Sequence, residues 1–317
     1  MAVSESMGEP AVRVRGLTRR FGPVVAVDDL SFEVAPGELF GIVGPDGAGK
    51  TTTLRMLAGV LRPSAGAAEV VGVDVVTRLE EAKPQLAYMA QRFGLYEDLT
   101  VRENLDFYAD LYRVPKGERG PRLERLYRMS RLGEFEHRLA GQLSGGMKQK
   151  LSLSCALVHH PRLLLLDEPT FGVDPISRRE LWLILHEMVA DGITVVVSTS
   201  YLDEAERCDR VALLHRGRIV ALDRPEALQR GLPGRLLAVR TPSPRAARAA
   251  LEGVPGVRSA VLFGDEVHVL GTPDLAEETL VAALAAAGLF DADIHPKPPS
   301  LEDVFIQTVA ASEEERV

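Results

Sequence analysis

The stretch Gly44-Pro45-Asp46-Gly47-Ala48-Gly49-Lys50-Thr51 fits the spacing G-x-x-x-x-G-K-[ST]. An apolar run at 38–43 precedes it, and a segment of helical character at 51–58 follows it through Thr51 and Thr52. That context matters physically. Glycines let consecutive backbone N–H groups turn inward around phosphate oxygens, and the first turn of the next helix adds its positive dipole end. In such a loop Lys50 reaches the β and γ phosphates, and the Thr51 hydroxyl holds Mg2+.

Outward from the loop, short strands are expected at 12–15, 31–34 and 38–43. The runs 163–166 and 194–198 are continuously apolar and read as strands buried on both faces of a parallel sheet. Between them, 178–190 has helical spacing with Leu181, Leu185 and Met188 on one face. Strand, helix and strand in this order mean an α/β domain, a P-loop NTPase in form. The stretch 96–160 reads instead as an inserted helical subdomain, with breaks at Pro115 and at Gly120-Pro121. The expected division is a tail at 1–10, the nucleotide-binding domain at 11–225 and an accessory domain at 226–317. In the last, the order βαββαβ suggests a small α+β ferredoxin-like sandwich. Its final helix, 300–309, is capped by Ser300 with Asp303 three residues on, and no catalytic constellation is visible there.

Composition narrows the function classes. The 317 residues are 46% apolar and 26% charged, with a net charge of -8 that argues against a nucleic-acid partner. The two cysteines, Cys155 and Cys208, lack metal-ligand spacing and read as one buried thiol and one partly buried thiol. The polar, acidic start does not suit a signal peptide, and no apolar stretch has the length of a membrane span. Any membrane role therefore goes through a partner.

Two further motifs carry chemistry. The run 163–166 ends in Asp167 and Glu168, where one carboxylate can orient the Mg2+ shell and a second can polarise an attacking water. Leu143-Ser144-Gly145-Gly146-Met147-Lys148-Gln149-Lys150 resembles the signature sequence of ATP-binding cassette (ABC) proteins, normally LSGGQ. Gln91 matches that family's Q-loop, and Asp174, in Gly172-Val173-Asp174-Pro175, its D-loop. The resemblance spans about 11–225. Independently of it, Ser144, Gly145 and Gly146 precede a helix expected to begin near Lys148, a second anion-binding helix start. Two phosphate-binding surfaces on one chain suggest two chains meeting head to tail around two nucleotides.

The resemblance implies ATP and Mg2+ as cofactors, with Asp167 and Gln91 beside Thr51 at the metal. It implies Glu168 as general base, Gln91 as ligand of the metal or of the attacking water and as the link to the helical subdomain, Ser200 at the place of the catalytic switch, and Ser144, Gly145 and Gly146 on the γ-phosphate held by the opposite chain. Phe21 matches the aromatic that stacks on adenine. Three positions depart from the family pattern. Asp46 replaces an Asn in the phosphate loop and is expected to point outward, and Met147 replaces the signature Gln. The third departure is the serious one, because Ser198-Thr199-Ser200 stands where the family reads Ser-Thr-His. Ser200 is shorter than histidine and cannot become a cation, and loss of one such donor costs a factor on the order of 10²–10³ in rate. The neighbouring His159 and His160 read as solvated or capping side chains.

The resemblance thus implies an ATP-hydrolysing subunit of a drug-exporter-like transporter. Its partners are an integral membrane subunit and a second cassette, identical or not; the segment 91–112, with Phe93, Tyr96, Phe107, Tyr108 and Tyr112, lies where the family docks the membrane subunit, and a buried core of the helical subdomain accounts for most of those aromatics equally well. Its place is the cytoplasmic face of the membrane. Two alternatives compete: a regulatory cassette that hydrolyses slowly because of Ser200, and a soluble non-transport ABC ATPase.

Overall fold

Alternating buried and exposed side chains along Val12–Phe21 (β1) and Val24–Val34 (β2) give a hairpin turned at Gly22-Pro23, one face inward and one solvated. The structure is a computed structural model that describes residues 9–92 and 94–314. Two units divide it, one ending at Arg224 and one beginning at Pro225. Leu39–Val43 (β3) is buried at every residue and leads through the phosphate loop into Lys50–Leu57 (α1). Ala65–Val70 (β4) pairs with β1, and Val73–Asp74 (β5) with β4, completing an antiparallel sheet in the order β2-β1-β4-β5.

The chain then forms Leu79–Ala82 (α2), Leu86–Met89 (β6), Val101–Leu111 (α3), Lys116–Ser130 (α4), Gly145–Leu157 (α5), Leu163–Asp167 (β7) and Pro175–Ala190 (α6). Thr194–Thr199 (β8), Leu202–Ala205 (α7), Arg210–His215 (β9) and Arg218–Asp223 (β10) close the unit. The second sheet runs β10-β9-β3-β8-β7-β6. All its pairings are parallel except that of the edge strand β10. Every residue of β7 and β8 is buried, as their unbroken apolar runs require. Phe32 stacks on Phe40 at 5.3 Å between ring centres, joining the two sheets in one core.

Three expectations need correction. Pro115 does separate α3 from α4, but α4 runs unbroken through Gly120 and Pro121. The residue four before Pro121 is Gly117, and the buried stripe of Leu123 and Leu126 holds the helix on its neighbours. α5 starts at Gly145, not near Lys148, because Ser144 serves as its N-cap. Both cysteines are buried, and desolvation raises each thiol far above its usual range.

The second unit contains Pro225–Arg230 (α8), Arg235–Arg240 (β11), Pro244–Leu251 (α9), Val257–Phe263 (β12), Glu266–Gly271 (β13), Glu277–Ala286 (α10), Asp293–Pro296 (β14) and Leu301–Glu314 (α11). Its antiparallel sheet has the order β12-β13-β11-β14, which is the ferredoxin-like arrangement. α9 and α10 cover one face through Ala247, Leu251, Leu280 and Leu284, packed on Val267 and Val269. His268 points to the other face, where its Nδ1 lies 2.6 Å from Asp303 at the start of α11. Asp303 and Ser300 form the expected reciprocal cap.

Candidate functional site

The phosphate loop folds as its glycines require. Gly49 has φ +107, and a Cβ there would sit 2.6 Å from the Ala26 carbonyl, so no other residue fits this close approach. Lys50, the first residue of α1, is buried, and its ammonium donates to the carbonyls of Gly44 at 2.7 Å and Pro45 at 3.1 Å. The same Nζ lies 3.0 Å from Glu168 Oε1. Both side chains are nearly water-free, at 4% and 8% exposure, so the pair is poorly screened.

Thr51 Oγ1 donates to Asp167 Oδ1 at 2.9 Å, which brings the two expected metal ligands together across the sheet. Ser198 supports both acids. Its hydroxyl donates to Asp167 Oδ1 at 2.9 Å and accepts from the Glu168 N–H at 3.0 Å. Tyr88 adds a bond to Asp167 Oδ2 at 3.4 Å, and burial followed by the Asp167 charge raises its phenol above the ordinary value. Glu168 itself has φ 48, a left-handed backbone that turns it off the end of β7. Gln91, just past β6, donates from Nε2 to Glu168 Oε2 at 3.2 Å.

Lys50, Thr51, Gln91 and Glu168 line a cleft of about 460 Å³ with Asp46, Gly47, Ala48, Gly49 and Thr52, and with Ala26 and Phe171. Asp46 is exposed on its wall. Other candidates lie elsewhere. Of the expected site residues, Gly44, Pro45 and Asp167 lie behind the lining, bonded to Lys50 and Thr51, and Phe21, Ser144, Gly145, Gly146, Asp174 and Ser200 are not in it either. Phe21 is 45% exposed with the Arg19 guanidinium 4.5 Å from its ring centre. Ser200 follows β8 and is half-buried.

The signature segment is a second, outward-facing helix start. Ser144 and Gly145 are exposed, and Ser144 accepts from the Met147 N–H at 3.3 Å. Gly146 is buried against α6, where a Cβ would come within 2.3 Å of Ser177. Asp174 caps α6 by accepting from Ile176 and Ser177, and the Ser177 N–H holds its carboxyl below the usual range. Lys148 reaches Glu97 at 2.8 Å, tying α5 to the segment that follows Gln91.

In that segment Tyr96 and Phe107 meet edge to face at 4.6 Å and remain partly exposed, whereas Tyr108 donates to the Gly94 carbonyl. Phe93 lies outside the described residues. His159 is neither solvated nor a cap. Its ring stacks on Tyr112 at 3.8 Å, and burial lowers its pKa to about 4. Ala26, Tyr88, Phe171 and Ser198 are not legible as site residues in the sequence, since each reaches the site only through folding. Only Ser198, next to Thr199 and Ser200 at a strand end, carries a local signal.

A glycine-rich loop at the head of α1, two carboxylates at the end of β7 and an amide facing them define a phosphate-loop nucleotide-binding domain. The family model described as ABC transporter matches residues 27–171. The chain is 42% identical to the Escherichia coli K12 protein named "Probable multidrug ABC transporter ATP-binding protein YbhF", over 96% of this chain and 53% of that one. It thus spans about half the length of that relative. It is 35% identical to the Nod factor export ATP-binding protein I of Rhizobium leguminosarum bv. viciae, over 96% of both chains. The solved structure of an ATP-binding subunit of an ABC transporter matches 69% of this chain and 92% of its own, with TM-score 0.64 and 33% identity. An ATP-binding cassette solved as a dimer in a post-hydrolysis state with ADP and Pi matches 67% and 98%, with TM-score 0.61 and 26% identity. The chain belongs to the ABC transporter family.

Proposed function

We propose that this chain powers an exporter of amphipathic small molecules by closing, with a second cassette, around two ATP molecules, while docked on a separate membrane-spanning subunit. One observation carries the paired arrangement: the signature helix start faces solvent with exposed Ser144 and Gly145, outside the cleft that contains Lys50. A second cassette would bring such a helix start to the far side of each nucleotide.

The donor set fits the nucleotide and its metal. Lys50 and the N–H groups of the loop hold the β and γ phosphates, and Thr52 continues the cradle into α1. Thr51 and Asp167, already hydrogen-bonded to each other, would hold Mg2+ with Gln91, and the bound ion would supply positive charge against the phosphates. Glu168 accepts a proton from the attacking water, and Ser200, which follows β8, stands at the family's switch-histidine position. Asp174 fixes the α6 end against which Gly146 packs. Phe21 offers a ring face for adenine.

Among the described residues no helix is long and apolar enough to cross a membrane, which supports a peripheral place at the cytoplasmic face through the partner. The exposed Tyr96, Phe107 and Leu111 suit the docking of that subunit. Export is supported by relatives named for multidrug transport, Nod factor export and daunorubicin resistance. Those names also favour transport over a soluble, non-transport role.

Ser144→Arg tests the paired site. MgATP binding measured by equilibrium dialysis is expected to stay within about twofold, because the residue is outside the cleft, while ATP-dependent dimerisation and turnover are lost. Retained turnover in Ser144→Arg removes the paired-site reading. Absence of MgATP binding by the native chain removes the whole proposal.

A further inference from the structure

Glu204, on the short helix α7, is 1% exposed and lies outside the cleft. A buried carboxylate is costly unless bonded, so its partners define its role. Its Oε2 accepts two hydroxyl bonds, from Thr170 at 2.8 Å and from Thr199 at 2.9 Å. Both threonines are also 1% exposed. Thr170 lies two residues beyond Glu168 on the turn leading to Asp174, and that turn is closed by the Phe171 N–H on the Glu168 carbonyl at 3.1 Å. Thr199 immediately precedes Ser200, and its Oγ1 also accepts from the Tyr201 N–H at 3.0 Å. The other oxygen, Oε1, faces Arg178 Nε at 3.4 Å. Arg178 is in the first turns of α6, which Asp174 caps, and its guanidinium covers the Tyr201 ring at 4.4 Å.

One carboxylate oxygen therefore joins the turn that follows Glu168 to the end of β8, just before Ser200. We propose that Glu204 is a positioning residue that makes the Glu168–Asp174 turn and the Ser200 loop move as one body, so that nucleotide closure on one side sets the other. The inference rests on the hydrolytic reading above and adds a coupling element to it. The two hydroxyls share a single acceptor atom, so a shift of either loop alone breaks a buried bond. Glu204 lies outside the cleft lining, and its hydroxyl bonds run through Thr170 and Thr199 to the segments that carry Glu168 and Ser200.

Replacement tests this on the full-length chain. Glu204→Gln keeps the shape and is expected to lower kcat about tenfold, with MgATP affinity within about twofold of the native value. Thr199→Val and Thr170→Val each lower kcat about threefold, and Thr199→Val combined with Glu204→Gln is no slower than Glu204→Gln alone, since one network is removed once. The only tryptophan, Trp182, lies one turn beyond Arg178 on α6 and is buried, so its emission reports on this region. The nucleotide-dependent emission change is expected in the native chain and absent in Glu204→Gln. Native kcat in soluble Glu204→Gln, or a fully additive double variant, overturns the inference. Should Glu204→Gln not fold, the pair Thr170→Val and Thr199→Val decides: combined losses smaller than the sum support the coupling, and fully additive losses overturn it. A native chain that neither binds nor hydrolyses MgATP refutes the underlying reading itself, whereas an active native chain with an equally active Glu204→Gln refutes only the coupling.

Discussion

The ammonium of Lys50 is bonded to Glu168 at 3.0 Å, in a place where neither side chain meets much water. A phosphate that takes up Lys50 must break this pair. Removing the negative partner by Glu168→Gln should therefore tighten binding even as it abolishes the general base. A charge-assisted hydrogen bond in such surroundings contributes about 1.5–3 kcal/mol. At about 1.4 kcal/mol per factor of ten, the gain in affinity is about 10- to 100-fold. Loss of carboxylate–phosphate repulsion acts in the same direction. Lys50 retains its bonds to the carbonyls of Gly44 and Pro45, so the variant is expected to fold normally. Equilibrium dialysis with Mg2+ and a non-hydrolysable ATP analogue compares native and variant chains without interference from turnover. Affinity unchanged within twofold, or weakened, would refute the claim that Glu168 competes with phosphate for Lys50.

Ser200→His restores a long, titratable donor beyond β8 and should raise ATPase activity on the order of 10²-fold; no increase in steady-state rate removes Ser200 as the limiting element. Gly146→Ala places a methyl 2.3 Å from Ser177 and should destabilise the first unit by about 1–3 kcal/mol in urea unfolding. Gly145→Ala, whose Cβ would meet only the Gly172 carbonyl at 3.9 Å, should leave that stability unchanged, and equal losses would contradict the packing described. Burial holds His159 near 4 against an ordinary 6.5, so unfolding takes up a proton between these values. Stability is thus full at neutral pH and declines as pH falls from 6.5 toward 4, with a slope of at most about 1.4 kcal/mol per pH unit from this group. His159→Phe keeps the stack on Tyr112 and should flatten that slope; an unchanged acid profile would exclude His159 as its source.

Much of this molecule is written in short stretches of its chain. The phosphate loop, Asp167 and Glu168 at a strand end, and the βαββαβ order after Pro225 are local patterns, because backbone turning, strand burial and capping depend on neighbours a few residues away. Residues that act across the sheet left little trace. Ser198 braces two acids 31 and 30 residues away, and Glu204 gathers Thr170 from 34 residues back. Local rules also misjudged α4, where a buried leucine stripe outweighs the break expected at Pro121, and His159, which packing against Tyr112 removes from water. Local chemistry determined what the chain can bind. Only tertiary packing, which sets distances between groups remote along the backbone, decided that Lys50 is bonded to Glu168 and that one buried carboxylate joins Thr170 to Thr199.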